Sequence, residues 1–256
     1  MTRNTGAPRA WAELLLEGLS PRWRERFDSH WQRIAWNVVA GAAVAAVGLL
    51  LFAKVGEDVF NHETGSVDDV VRSWMIAHRT PALFSVFTAI TNAGSSVPIS
   101  VVTVLASLWL WRARGRRAAA GAIAAPVLAV VLFNAIKVSF ERVRPLGALH
   151  FDLRSYAFPS GHATLSMAAA GTVAYVLWRE RQIPRWGAVL IAVVVPLLVG
   201  FSRVCLDVHW ATDVLGGWSV GLFVAGVSCV AYEHLRRDPV VAAVETLDPS
   251  SPPHSA

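Results

Sequence analysis

Residues 118–137 read AAAGAIAAPVLAVVLFNAIK, an apolar run whose first charge is Lys137. Its length is close to the roughly 20 residues that cross a bilayer core as a helix. Unpaired backbone groups are costly in lipid, so only helices and closed barrels span it, and this run has none of the period-two alternation of a barrel strand. It is read as a transmembrane helix over 118–136.

Outward from this run the pattern repeats. Upstream, the basic turn Arg112, Arg114, Arg116 and Arg117 separates it from a span at 96–111, and a first span covers 35–53. Downstream, a polar stretch over 137–162 leads to spans at 162–178, 186–201 and 210–231, with the basic loop 179–185 between the first two. Pro196 falls inside a span, where a helical bundle tolerates it. Gly217 and Gly221 have a spacing that permits close helix contact but often arises by chance. In the connection 56–94, residues 67–78 and 81–91 mix apolar and polar side chains at helical spacing, which predicts interfacial helices.

Composition agrees. The chain is 54% hydrophobic and 16% charged, against about 25% charged in soluble domains, and its mean hydropathy is +0.46. The net charge of +5 sits in short clusters between apolar runs, as in membrane loops, and not in a nucleic-acid-binding surface. Two cysteines, Cys205 and Cys229, make no disulfide framework. The first apolar run begins only near Ala35, with no cleavage site after it, and reads as a retained helix. These features predict an all-α, polytopic membrane bundle with about six transmembrane helices. Its single domain, 35–233, lies between a basic tail, 1–34, and a polar tail, 234–256, expected to be disordered. Within the first tail, 11–19 fits either a helix on the membrane surface or a loose segment.

The span interiors are nearly free of ionisable groups. Polar residues gather instead at three span ends: Lys137, Arg144 and Pro145; Pro159, Ser160, Gly161 and His162; and Ser202, Arg203, His209 and Asp213. Alternating topology puts all three at one membrane face. Lys137 and Arg144 stand two turns apart if helical, and with Arg203 they form a set of cations that repel one another unless an anion joins them. Phosphate suits them because guanidinium binds its oxygens in a fork. Ser160-Gly161-His162 opens a helix, whose free N–H groups attract anions. His209 and Asp213, four residues apart, share a face if helical, so the carboxylate holds one imidazole nitrogen as N–H and leaves the other a nucleophile. Each cluster alone has an ordinary reading, as a snorkelling cation, a turn or a cap. Arg142, Arg154, Asp207, His150, Asp152 and Tyr156 are read as solvated loop residues.

Together, Lys137-x6-Arg144-Pro145, Pro159-Ser160-Gly161-His162 and Ser202-Arg203-x5-His209-x3-Asp213 resemble the three-part signature of the PAP2 (type 2 phosphatidic acid phosphatase and vanadium haloperoxidase) superfamily. The resemblance implies a PAP2-like core and a membrane lipid phosphatase acting through a phosphohistidine. His209 would then be the nucleophile, Asp213 its support and His162 the general acid. Lys137, Arg144, Ser160, Gly161 and Arg203 would hold the phosphate. No cofactor or metal is expected, because the cations supply the charge that Mg²⁺ supplies elsewhere. The expected partners are a phosphorylated lipid and the bilayer. Undecaprenyl pyrophosphate, phosphatidylglycerol phosphate and phosphatidic acid all fit, as does a lipid phosphotransferase of the same superfamily. A haloperoxidase fits poorly with membrane spans. A small transporter would place its ionisable residues at mid-membrane, and a scaffold has no need of the signature. Basic segments at 1–34, 112–117 and 179–185 and at Arg236 and Arg237 predict cytoplasmic termini and an outward-facing site.

Overall fold

A computed structural model describes residues 21–147 and 155–245, with side chains at 35–147 and 155–235. The region 11–19 lies outside the described residues, as do His150, Asp152 and Arg154. The described residues form eight helices: α1 (Pro21–Phe60), α2 (Gly65–His78), α3 (Pro81–Ala93), α4 (Ser96–Arg114), α5 (Arg116–Phe140), α6 (Gly161–Arg179), α7 (Arg185–Cys205) and α8 (Ala211–Glu245). No strand occurs among the described residues. The expected membrane bundle is what forms. Among the described residues five helices are long and apolar enough to cross a bilayer: α1 over Ala35–Phe60, α4, α5, α7, and α8 over Ala211–Leu235.

The sixth helix of the bundle is α6. It has 19 residues, long enough to span, but it is less apolar than the others. Its position explains the composition. It packs against α4, α5, α7 and α8, so its buried Thr164, Ser166 and Thr172 face protein and need not suit lipid. Small residues allow this close approach. A Cβ at Gly217 would lie 2.7 Å from the Ser160 carbonyl oxygen, and one at Gly221 would lie 2.5 Å from Met167 Cβ. The Gly217/Gly221 spacing is therefore a true α6–α8 contact. Leu165, Ala168, Val220 and Val224 fill this seam together with Ala125 and Ala129 of α5. On the outside, Leu50, Val97, Val131 and Leu190 are exposed, which is costly in water and favourable in hydrocarbon.

Two boundaries differ from expectation. α1 runs on to Phe60, because residues 54–60 continue the helix through the Lys54–Asp58 pair at i, i+4. α8 continues to Glu245, past Glu233, where a disordered tail was expected. Glu233 is itself buried and takes hydrogen bonds from Tyr175 and Arg179 of α6, so the end of the span is fastened.

Both helices expected in the 56–94 connection form. Thr80 caps α3 by accepting from Leu83 N at 3.2 Å, and Pro81 opens that helix. α2 packs against α7 and α8. It turns Asp68, Val71, Arg72 and Met75 inward, and Val67, Val70 and Trp74 outward. Asp68 and Arg72 of α2 therefore face the protein, while Asp69, Ser73 and His78 are exposed.

Candidate active site

The three signature clusters meet at one end of the bundle, where α5 and α7 end and α6 and α8 begin. α5 stops at Phe140, and Glu141 turns the chain into an extended segment with φ 46°. Lys137 therefore lies in the last turn of α5 and Arg144 lies beyond it, not two turns along one helix. Lys137 Nζ donates to the Tyr156 carbonyl. Arg144 spreads its guanidinium over the same loop. Its Nε donates to Ser155 O at 2.7 Å, and its Nη2 to Ser155 Oγ at 3.0 Å and Tyr156 O at 3.3 Å. Its Nη1 donates to Val208 O at 2.8 Å and to His209 Nε2 at 2.9 Å.

His209 is buried in the loop before α8, so it does not share a helix face with Asp213. A capping turn joins them instead. Asp213 sits in the first turn of α8 and reaches back, accepting from Trp210 N at 2.9 Å through Oδ2. The same oxygen lies 3.2 Å from His209 Nδ1. A carboxylate at Nδ1 and a guanidinium N–H at Nε2 require Nδ1 to carry the proton and Nε2 the lone pair. Burial, and after it the charges of Arg144, Arg203 and Lys137, hold the imidazole well below its usual pKa. The ring is therefore neutral, with Nε2 on the side of the cations.

The remaining signature residues lie at the same end of the bundle. Ser160 is fully buried ahead of α6 and its Oγ has no protein partner. Its N–H donates to Asp213 O at 2.9 Å, which ties the start of α6 to that of α8. Gly161 presses on Phe133, which a Cβ would approach to 3.1 Å. His162 is partly exposed in the first turn of α6. Arg203, in the last turn of α7, donates through Nη1 to Thr91 Oγ1 at 2.6 Å, while its buried Nε has no protein partner. Leaving a buried donor unpaired is costly. An orphaned guanidinium N–H and an orphaned hydroxyl, in a cluster with Lys137, Arg144 and a neutral imidazole, are the chemistry that suits a tetrahedral anion.

Several residues that the sequence reading assigned to solvated loops prove to be buried structure. Arg142 is 16% exposed and donates to Asp213 Oδ1 at 2.7 Å. Asp207 is buried and pairs with Arg72 of α2 through contacts of 2.7 and 2.8 Å. Tyr156, by contrast, keeps the exposed side chain expected of it, and its carbonyl accepts from Lys137 and Arg144. Asp68, Thr91 and Arg72 were missed altogether. A usable signal existed on α2, where Asp68, Arg72 and Met75 repeat at helical spacing. Thr91 carries no such signal.

A neutral, oriented imidazole within a ring of cations in a helical membrane bundle defines a membrane phosphatase. The PAP2 superfamily model matches residues 117–237. Phosphatidylglycerophosphatase B of Bacillus subtilis (strain 168) is 31% identical over 68% of this chain and 88% of its own length. An undecaprenyl-diphosphatase of Sulfolobus acidocaldarius is 32% identical over 40% of this chain and 49% of its own. The crystal structure of a transmembrane PAP2 type phosphatidylglycerolphosphate phosphatase from Bacillus subtilis superposes with a TM-score of 0.65 at 25% identity, covering 81% of this chain and 98% of that one. The chain belongs to the PAP2 superfamily.

Proposed function

We propose that the chain hydrolyses the phosphate monoester of a glycerolipid headgroup, with His209 as nucleophile and no metal ion. The observation that carries this reading is the fixed tautomer of His209, with Asp213 at Nδ1 and the Nε2 lone pair facing Arg144. Nε2 attacks phosphorus and the bond to the lipid oxygen breaks. His162, at the open side of the site, gives that oxygen its proton. Lys137, Arg144, Arg203, Ser160 and the Gly161 N–H hold the phosphoryl oxygens and meet the charge that develops on them. Water then attacks the phosphohistidine, His162 recovers a proton from it, and phosphate leaves. The glycerolipid class, with phosphatidylglycerol phosphate foremost, follows the names of the Bacillus relatives. Phosphate release in detergent across phosphatidylglycerol phosphate, phosphatidic acid and undecaprenyl pyrophosphate tests it. A preference for the prenyl pyrophosphate would overturn the substrate class, and transfer of phosphate to an added alcohol in place of water would make the protein a transferase.

The charge that a metal supplies in other phosphatases comes here from Lys137, Arg144 and Arg203. Among the described residues no group of three or more His, Cys, Asp or Glu side chains gathers as a metal site. EDTA should leave the rate largely unchanged, and orthovanadate should inhibit by occupying the phosphoryl position. Loss of activity in EDTA that Mg²⁺ restores would refute the metal-free mechanism.

The site is proposed to face outward, with both termini in the cytoplasm. The turns 112–117 and 179–185 are rich in arginine, whereas the cations of the 56–94 connection, Arg72 and Arg79, are engaged with Asp207 and the Cys205 carbonyl. A single-cysteine variant reports the orientation. Gly147 is unsuitable, because a Cβ there would lie 2.1 Å from Asp207 Oδ2. Leu146, 75% exposed, is the better position, and Cys205 and Cys229 are buried. Leu146→Cys should react with an impermeant thiol reagent on intact cells. Reaction only after the membrane is broken would invert the topology.

A further inference from the structure

Asp213 has two carboxylate oxygens, and the reaction proposed above uses only one. Oδ2 serves His209 and the Trp210 N–H. Oδ1 belongs to Arg142, whose Nη1 lies 2.7 Å away. Arg142 is held in turn. Its Nη2 donates to Asp68 Oδ2 at 2.7 Å and to Thr64 Oγ1 at 2.9 Å, both at the start of α2. Nη1 also donates to Thr212 Oγ1 at 2.7 Å. Asp68 closes the ring by accepting from Thr212 N at 3.0 Å and from Thr212 Oγ1 at 2.7 Å. Nearly every polar atom of this cluster is therefore satisfied. The loop between is fastened as well, since Trp210 Nε1 donates to Val143 O at 3.0 Å and the guanidinium carbons of Arg142 and Arg72 lie 5.8 and 5.9 Å from the Trp210 ring.

A loop cation buried between two carboxylates is more than packing demands, because desolvating it is expensive unless the arrangement serves a purpose. Asp68 and Asp213 carry two negative charges and Arg142 one positive, so the cluster keeps a single net negative charge behind His209. As Nε2 bonds to phosphorus, positive charge develops on the ring, and that net charge is what meets it. Arg142 thus does two things. It fixes the carboxylate plane so that Oδ2 points at Nδ1, and it prevents two buried carboxylates from repelling each other. We infer that Arg142 and Asp68 are positioning residues of the phosphoryl-transfer reaction, acting on the nucleophile through Asp213, and that α2 is thereby part of the catalytic apparatus. This inference rests on His209 being the nucleophile.

The experiment compares Arg142→Gln, Asp68→Asn, their double variant and His209→Ala, purified in detergent. It measures kcat, KM, thermal unfolding, and the rate at which label from a phosphate-labelled substrate appears on the protein. Asp68→Asn is nearly isosteric and can still accept from Thr212 N, but its NH2 replaces the oxygen that accepts from Arg142 Nη2, so it removes the charge and the Arg142 contact without a change of shape. Arg142→Gln should lower kcat and the labelling rate together by about 10- to 100-fold, the size of one lost charge-assisted hydrogen bond acting in the transition state. Asp68→Asn should lower both by about tenfold, with KM and unfolding temperature close to wild type. Because Asp68 acts through Arg142, the double variant should be no slower than Arg142→Gln alone. Losses that multiply, a rise in KM alone, or a fall in activity that only tracks a fall in unfolding temperature would each overturn the inference. If Arg142→Gln does not fold, the kcat of Asp68→Asn decides the matter. Turnover in His209→Ala would sink the underlying mechanism instead, whereas an inactive His209→Ala beside a fully active Arg142→Gln would sink only this inference.

Discussion

His209→Ala is expected to abolish phosphate release, a loss on the order of 10⁴-fold or more, because it removes the atom that forms the covalent intermediate. Nothing nearby can replace it. His162, in the first turn of α6, is the proposed acid, and Ser160 Oγ has no hydrogen-bond partner to act as a base. The variant should still fold, since His209 makes no backbone contact through its ring and the loop is held by Arg144 at Val208 O and by Trp210 at Val143 O. Wild-type protein quenched during turnover of a phosphate-labelled lipid should carry acid-labile, base-stable label, and His209→Ala should carry none. Asp213→Asn should retain a fraction of the activity. It keeps the shape but offers no charge to the developing imidazolium, and its amide can turn an N–H toward Nδ1, which favours the wrong tautomer. Because burial holds the His209 pKa below its usual value, Nε2 remains unprotonated under mildly acidic conditions, so activity should persist below the usual imidazole range. Full activity in His209→Ala would remove the nucleophile from the mechanism.

The parts of this structure that were legible in the sequence are those fixed by the solvent or by short-range spacing. Lipid requires α4, α5 and α7 to be apolar along their length, so composition located them. The polar residues at the span ends were conspicuous because the interiors exclude charge, and alternation of the spans was enough to gather them at one face. What was not legible depended on tertiary contacts. The Lys137–Arg144 spacing suggested a helix, yet Glu141 turns the chain out of α5 and Arg144 works from a loop. His209 and Asp213 suggested a helix face, yet α8 starts between them and a capping turn does the same task. Asp68, Arg142, Arg72 and Asp207 resembled loop charges because each is paired across a long sequence separation, Asp68 with Arg142 and Arg72 with Asp207. Surface charges in a connection are ordinary, and only the docking of α2 onto α7 and α8 turns these into buried partners. The composition of α6 had the same cause. Its small and hydroxyl residues look less like a span because its surroundings are protein.

Arg144→Lys should be a severe variant although it conserves charge. Arg144 uses all three of its guanidinium nitrogens: Nε and Nη2 on the Ser155–Tyr156 segment, and Nη1 on Val208 O and His209 Nε2. These contacts join the end of the α5–α6 loop to the loop that carries His209, the proposed nucleophile. They also place an N–H 2.9 Å from His209 Nε2, the atom proposed to attack. A lysine ammonium is a single point with three donors on a flexible stem. It cannot reach Ser155 and Val208 at once, and whichever side it serves, the other loop loses its tie. Losing one charge-assisted contact in the transition state would slow the reaction by roughly 10- to 100-fold. Misplacement of Nε2 adds to that, because small errors in reacting geometry are costly. The expected result is therefore a fall in kcat at or beyond the upper end of that range, with a smaller change in KM, since Lys137 and Arg203 still attract the anion. Vanadate should bind more weakly in the variant, as it mimics the phosphoryl geometry that the fork supports. The contrasting variant is Arg203→Lys. Its Nη1 is committed to Thr91 Oγ1 of α3 and its buried Nε has no protein partner, so a lysine there loses the fork and a proposed phosphate contact but breaks no link between the two loops that Arg144 joins. Steady-state kinetics on both separate positioning from charge. Arg144→Lys should fall further than Arg203→Lys, and wild-type kcat in Arg144→Lys would mean that only the positive charge matters at that position.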